Sequence, residues 1–126
     1  MVKLNSIKLN EKFSLIKDLW TPYVIGELNG QYIKISKVKG EFVWHNHENE
    51  DEMFMVVKGE LSILIKKDKK IEIIVIKENE IFIVEKGTEH KPIANDECWI
   101  MLFEPIETKH TGEVDSELTN NELQRL

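Results

Sequence analysis

Hydrophobic and polar residues alternate along a series of short segments between residues 31 and 103. A period of two places successive side chains on opposite faces of an extended chain, so the pattern indicates β-strands. The segments are also rich in β-branched and aromatic residues, which strands favour. The predicted strands cover residues 31–39, 41–47, 53–57, 61–65, 71–76, 81–84 and 99–103.

Turn-forming residues separate these predicted strands. Glycines follow a polar residue at Gly30, Gly40, Gly59 and Gly87, and the charged residues 66–70 are typical of a hairpin tip. Many short strands at close spacing favour a barrel or sandwich, because closure protects the strand edges. We therefore expect an all-β fold, a single antiparallel β-barrel or flattened sandwich over about residues 31–103.

The two ends of the chain carry different patterns. Phe13, Ile16 and Leu19 recur at intervals of three, which is typical of a short helix between residues 10 and 20. We expect residues 1–30 to pack against the outside of the barrel and residues 104–126 to form a C-terminal tail. Residues 119–122 of the tail have the form of a capping box, ahead of a frayed helix or a disordered segment. The role of His110, also in the tail, is left open.

Composition limits the size and the partners of the protein. A chain of 126 residues that is 41% hydrophobic can build one core, so we predict a single domain over residues 1–126. The net charge of -6 disfavours nucleic acid and acidic membrane surfaces, since both need a basic patch. Arg125 is the only arginine, so an anionic substrate would have to meet lysine, backbone amides, a metal or a neighbouring subunit.

Three features favour a cytoplasmic protein. Cys98 is the only cysteine, so no internal disulfide can form. No apolar run reaches the roughly 18 residues that a membrane span requires. The first ten residues also lack the apolar stretch of a signal peptide.

Three of the four histidines fall in two short segments. His45 and His47 are two residues apart on a predicted strand, so both imidazoles would point to the same face. Glu52 begins the next strand, where its carboxylate can face the same space, and His90 follows the turn at Gly87. Three imidazoles and one carboxylate suit a divalent ion of Fe, Mn, Ni, Co or Zn.

Each of these residues alone has a simpler explanation. A histidine pair on a strand is more often at the surface or satisfied in a core, and Glu52 stands beside the acidic residues of a loop. The combination favours a metal because Glu52 and His90 each lie at a defined interval from a glycine turn. Four protein ligands would leave room for water or substrate on a five- or six-coordinate ion, as in catalytic sites.

Residues 40–59 and 79–95 resemble the two conserved motifs of the cupin superfamily. The first motif ends at Gly59, and the second contains the turn at Gly87. The resemblance implies a small cupin-type barrel, also described as a jelly roll or double-stranded β-helix, with one divalent metal inside. The ligands that it implies are His45, His47, Glu52 and His90.

The match departs from the family pattern at turn positions. Asn79 and Glu85 replace the glycine and the proline that are usual in the second motif. Gly40 lies one residue closer to the histidines than usual, and Asn95 falls one place late. These changes affect turn geometry and leave the four ligand positions intact.

Several functions are compatible with this resemblance. Cupins include dioxygenases, isomerases, decarboxylases and lyases, so it implies a metal-dependent enzyme acting on a small molecule, dioxygenase- or isomerase-like. In such an enzyme Glu52 would be catalytic as well as a ligand. The alternative is a non-catalytic module that binds a small ligand or senses a metal, and fold resemblance alone cannot choose between them.

The other apolar residues predict a barrel lining and an interface. We expect the lining or filling of the barrel to include Phe54, Val56, Ile63, Ile83 and Met101, and Cys98 to be buried. Outward-facing positions are assigned to Trp20, Phe42 and Trp44. Burial of such residues against a second copy predicts a homodimer.

Overall fold

The computed structural model describes residues 4–106 and 124–126. These residues form one short helix and eight strands. The elements are α1 (Leu9–Ser14), β1 (Tyr23–Leu28), β2 (Gln31–Glu41), β3 (Glu52–Lys58), β4 (Glu60–Lys67), β5 (Lys70–Lys77), β6 (Ile81–Val84), β7 (His90–Pro105) and β8 (Gln124–Arg125). Within the described ranges, no helix has the length and apolarity needed to cross a membrane.

Strand β7 is shared by both halves of the fold. Its first residues pair with β4, where His90 lies opposite Ile65. Its later residues lie between β2 and β3, with Leu102 opposite Lys34 on one side and Phe54 on the other. One long strand thereby joins the two layers around a common interior. This jelly-roll arrangement confirms the fold class predicted from the sequence.

The edge of the sheet near the chain ends contains an exception to the antiparallel pattern. Strand β8 lies parallel to β1, with Tyr23 opposite Gln124 and Val24 opposite Arg125. The sheet also begins before residue 31, because β1 pairs with β2 across the turn at Gly30. Residues 119–122 and His110, for which the sequence left alternatives open, lie outside the described residues.

Helix α1 covers the outer face of β2 and β7. Phe13 and Ile16 are buried against Ile35, and the ring of Phe13 stacks on Trp99 at a centroid distance of 4.9 Å. A short helix is present as predicted, although it ends at Ser14 instead of extending to residue 20. Because alternate residues of β2 face opposite sides, the contact of Ile35 with the helix turns its neighbours into the barrel.

The barrel interior is filled mainly by aliphatic side chains. The buried cluster consists of Val38, Phe54, Val56, Leu61, Ile63, Ile65, Ile76, Val84, Ala94, Cys98, Ile100 and Leu102. Of the six residues predicted to be buried or to line the barrel, Phe54, Val56, Ile63 and Cys98 are interior, but Met101 and Ile83 are not. Met101 faces the helix because it alternates with the inward Ile100 and Leu102, and Ile83 is 52% exposed.

The turn between β3 and β4 has little room for a side chain. Gly59 has a φ of +92°, and an added Cβ would lie 3.1 Å from the carbonyl oxygen of Glu97. Gly30 has a similar φ of +77°, but nothing lies within 4 Å of its added Cβ. A substitution at Gly30 therefore tests backbone strain alone, whereas one at Gly59 adds a steric clash.

We expect Gly30→Ala to lower the free energy of unfolding by about 1 kcal/mol, from backbone strain alone. Gly59→Ala should lower it by a further ~1–2 kcal/mol, because the backbone of β7 must also shift. Urea unfolding of the two variants measures the difference. Equal losses would show that the close approach at Gly59 is unimportant.

Candidate metal centre

The two histidines of the first motif, which the sequence predicts as metal ligands, lie between regular strands. The sequence predicted a strand over residues 41–47, but β2 ends at Glu41 and β3 begins at Glu52. His45 and His47 occupy the irregular connection between them. The prediction of a continuous strand was therefore wrong, although both imidazoles are buried.

Backbone hydrogen bonds hold this connection against the second motif. His45 and His90 form an isolated antiparallel bridge, with N–H to carbonyl distances of 3.0 and 2.9 Å. The N–H of Gly87 donates to the carbonyl of His47 at 2.8 Å. The side chain of Asp51 accepts from the N–H of Lys86 at 2.9 Å. These hydrogen bonds hold together two segments that are about 40 residues apart in the sequence.

The four predicted ligands come together inside the barrel. The site consists of His45, His47, Glu52 and His90, all buried, and one ligand atom from each lies within 4.8 Å of the others. The distance from Glu52 Oε1 is 3.4 Å to His47 Nε2 and 3.5 Å to His90 Nε2. Two ligands bound to one ion at about 2.1 Å in tetrahedral geometry are separated by about 3.4 Å. The spacing in the protein is therefore that of a metal site.

Two histidines are oriented by the backbone beside them. His45 Nδ1 lies 2.8 Å from the carbonyl oxygen of Val43, and His90 Nδ1 lies 2.9 Å from that of Thr88. A carbonyl oxygen only accepts hydrogen bonds, so Nδ1 must carry the hydrogen in both rings. The lone pair is then on Nε2, which is the arrangement that a metal-binding imidazole requires.

Several buried polar atoms of the site have no hydrogen-bond partner within the described part of the chain. They include His47 Nε2, His90 Nε2 and Glu52 Oε1. Each unsatisfied atom of this kind costs about 1–3 kcal/mol. A divalent cation would satisfy all three, because each can offer a lone pair. The residues present therefore fit a metal ion that accepts mixed nitrogen and oxygen ligands.

Burial and neighbouring charges shift the pKa values of the groups in the site in different directions. Burial, together with the neighbouring His90, lowers the pKa of His45 to about 4. Burial acts in the same direction on His47, but the Glu52 carboxylate outweighs it and the pKa of His47 is raised. Burial would raise the pKa of Glu52, yet contacts with Glu104 and the histidines hold it well below the usual value. Glu52 is thus an anionic ligand near neutral pH.

A buried ion pair adjoins the site. Lys34 Nζ donates to Glu104 Oε1 at 2.6 Å, and neither side chain is exposed. Glu104 lies next to Glu52 on the neighbouring strand, since Met53 pairs with Phe103 one position along. Neither residue was predicted from the sequence to belong to the site. Lys34 has the pattern of a solvent-facing strand lysine, and only the register of β2 on β7 places it beside Glu104.

A small apolar cavity of about 30 Å³ opens beside His45 and Glu52. Its other lining residues are Trp20, Pro22, Ser36, Val38, Phe42, Phe54, Pro92, Ile100 and Leu102. Phe42 is buried here, stacked on Trp20 at 4.7 Å and edge-on to His45 at 5.5 Å. The outward position predicted for Phe42 was wrong, because the chain leaves β2 at Glu41 and turns the ring inward. Trp20 and Trp44 are half-buried.

Comparisons with known proteins agree with this geometry. Residues 33–103 match the family model of the cupin domain, which is more than half of the chain, and the protein belongs to this family. A cupin-2 domain protein from Shewanella frigidimarina NCIMB 400 is 44% identical, with a TM-score of 0.74 over 79% of this chain and 93% of that one. The resemblance to cupins inferred from the two motifs is thereby confirmed.

Two further similarities extend the comparison. The chain is 37% identical over 76 residues to the uncharacterized protein YdbB of Bacillus subtilis (strain 168). This match covers 60% of the chain and 65% of YdbB, slightly less than two thirds of that protein. Hydroquinone 1,2-dioxygenase from Sphingomonas sp. TTNP3, with 4-hydroxybenzoate bound, has a TM-score of 0.72 at 13% identity, over 80% of this chain and 32% of that one. At this identity the likeness concerns the fold.

The raised pKa of His47 predicts how metal affinity depends on pH. In the metal-free protein His47 keeps its proton above the ordinary pKa of 6.5, and a metal must displace that proton. Below the raised pKa the apparent affinity should fall about tenfold per pH unit, whereas His45, with a pKa of about 4, contributes no such loss until the pH approaches that value.

Titration with Zn²⁺ between about pH 5.5 and 8 tests this dependence, with calorimetry in buffers of different ionisation enthalpy to count released protons. We expect about one proton per ion at the acidic end of the range. The variant His47→Ala is the control, since it should bind more weakly and lose most of the slope. An affinity that is constant over the range would contradict the assignment of His47.

Proposed function

We propose that the protein binds one divalent metal ion and is a metal-dependent enzyme that acts on a small molecule. The proposed ligands are His45, His47, Glu52 and His90. The main support is the convergence of buried nitrogen and oxygen lone pairs that have no hydrogen-bond partner among the described groups. A purely structural cluster of histidines would be expected to satisfy these atoms internally.

The arrangement of the ligands supports catalysis. A divalent ion of Fe, Mn, Ni, Co or Zn that is five- or six-coordinate would keep one or two positions for water or substrate. When bound, such an ion supplies Lewis-acid chemistry or, if it is redox-active, electron transfer. Glu52 would orient the ion and offer its second carboxylate oxygen as a proton acceptor, which is the basis for its proposed catalytic role.

The surroundings of the site support a small, largely uncharged substrate. The cavity beside His45 and Glu52 has almost entirely apolar walls, which would exclude water from the reacting groups. A dioxygenase-like or isomerase-like reaction is compatible with this environment. The shared fold of hydroquinone 1,2-dioxygenase, which has 4-hydroxybenzoate bound in its structure, is a further reason to test phenolic compounds first.

A second candidate is a non-catalytic module that binds a metal or a small ligand. The volume of about 30 Å³ favours it, because this space holds about one water molecule. Elemental analysis of protein purified without chelator or a metal-affinity tag separates the two. Iron would favour oxygen chemistry and zinc would favour isomerase or hydrolytic chemistry, whereas protein without metal would favour the binding module.

Substitution of single ligands should affect metal content unequally. His45→Ala and His90→Ala each remove a buried nitrogen and should lower metal affinity by at least about tenfold. Glu52→Gln exchanges one oxygen ligand for another, so it should keep a good part of the metal but lose activity. The control is Glu48→Gln, which makes the same chemical change on an exposed side chain of the same connection.

Metal stoichiometry of the four variants, purified in parallel with the parent, provides the measurement. If Glu52→Gln and His90→Ala both match the parent and Glu48→Gln, the four residues do not hold a metal. In that case the motifs would be only a feature of folding.

We also propose that the protein is a homodimer. Phe42 no longer supports this, but an exposed apolar set lies on strands β5 and β6: Ile71, Ile73, Val75, Ile81 and Ile83. Strand β5 ends the order of paired strands, so its outer edge is available to a second copy within the described structure. A shared face of this kind is typical of a two-fold interface.

Light scattering at micromolar concentration should report about twice the chain mass of 14.8 kDa. Ile73→Lys should shift the protein towards the monomer, since a charge would be buried in the interface. Leu28→Lys changes a comparably exposed residue on β1 and should leave the mass unchanged. A parent protein with the mass of one chain would rule out the dimer.

The same observations support two further proposals, on the organisation and the location of the chain. We propose that residues 1–126 form one domain, because α1 packs on the barrel and β8 pairs with β1. A cytoplasmic location is supported by the single cysteine, Cys98, which is buried and unpaired. The net charge of -6 supports a small molecule instead of nucleic acid or an acidic membrane as the partner.

A further inference from the structure

The ion pair of Lys34 and Glu104 is more deeply buried than stability requires. Both side chains have no exposed area, and the distance from Lys34 Nζ to Glu104 Oε1 is 2.6 Å. Transfer of two charges into a low-dielectric interior is unfavourable, and apolar replacements of similar volume are often neutral or stabilising. The aliphatic side chains of the interior could fill this space. A functional explanation is therefore needed.

The pair lies directly behind one of the proposed metal ligands. Glu104 on β7 is adjacent to Glu52 on β3, because the ladder between these strands pairs Met53 with Phe103. Lys34 holds one oxygen of Glu104, and the other, Oε2, accepts no hydrogen bond in the described part of the chain. The carboxyl groups of Glu52 and Glu104 are close enough to interact directly.

The charges of Lys34, Glu104 and Glu52 favour one orientation of the Glu52 carboxylate. Two buried carboxyl groups this close share one proton, so that one donates a hydrogen bond to the other, and Lys34 stabilises the negative charge that remains. Glu104 is fixed by Lys34 on one side, so it can confine the Glu52 carboxylate on the other. The Oε1 atom of Glu52 then faces His47 and His90 at 3.4 and 3.5 Å. Partners of this kind commonly set the orientation of a metal-binding carboxylate.

We infer that Lys34 and Glu104 are positioning residues, which hold the Glu52 carboxylate in the orientation needed to bind the metal ion. This inference rests on the proposed metal site. It assigns a role to two residues that belong to neither of the sequence motifs.

The test compares two double variants with matched chemistry. Lys34→Met/Glu104→Leu removes both partners of the buried pair together, so the metal-free protein should melt within a few degrees of the parent. Its affinity for Co²⁺ should fall about 10–100-fold. Glu27→Leu/Arg125→Met removes the exposed pair whose Arg125 Nη2 to Glu27 Oε1 distance is 2.6 Å, and it should bind Co²⁺ like the parent.

A change in the visible absorption of bound Co²⁺ would show that the set of ligands has altered. Glu104→Gln provides a second variant if the double variant does not fold. Its amide can accept from Lys34 and donate to Glu52, so it should retain affinity within about threefold of the parent while Glu104→Leu does not.

A thermodynamic cycle with Glu52→Gln decides whether the pair acts through Glu52. If it does, Lys34→Met/Glu104→Leu should cause little further loss of Co²⁺ affinity in the Glu52→Gln background, because the positioned group is already changed. The same loss in both backgrounds would overturn the inference. A parent that binds Co²⁺ no better than its double variant would also overturn it, and a parent that binds no Co²⁺ would overturn the metal site itself.

Discussion

The backbone bridge between His45 and His90 is the interaction on which the site depends. Its two hydrogen bonds fix an irregular connection against the first residue of β7, and β7 in turn pairs with β2, β3 and β4. Imidazoles on separate parts of the chain are thereby held at a ring-centroid distance of 4.2 Å.

The apolar core of the barrel offsets the cost of burying the polar side chains of the site. Among the described residues, seven polar or charged ones are buried, including three histidines, Glu52, Lys34 and Glu104. Their desolvation is unfavourable, and it is tolerated because the aliphatic cluster occupies the rest of the interior. Gly59 allows the turn between β3 and β4 to approach β7 closely, beside the buried Cys98 of that cluster. The same low-dielectric surroundings make each remaining electrostatic contact stronger, including the contact of Glu52 with its neighbours.

Much of this arrangement could be predicted because it is encoded in local patterns. The alternation of apolar residues and the glycine turns predicted an all-β fold, and the motif spacing predicted the four side chains that the structure brings together. Errors arose where local pattern and tertiary environment disagree. Phe42 continues the alternating pattern of β2 in the sequence but lies after the end of that strand. Met101 lies on a strand as predicted, but its side chain faces α1 instead of the barrel interior.

The sequence by itself determined the class of fold and the chemical identity of the site, because strand periodicity and the choice of histidine and glutamate are properties of neighbouring residues. Only the tertiary structure decided which face of β2 is interior. Helix α1 covers the Ile35 side, so Lys34 must point inward although its sequence context is that of a surface lysine. Its partner, Glu104, is 70 residues away in the sequence, and only strand register brings the two together beside Glu52. Register depends on contacts between distant segments, and no local pattern contains that information.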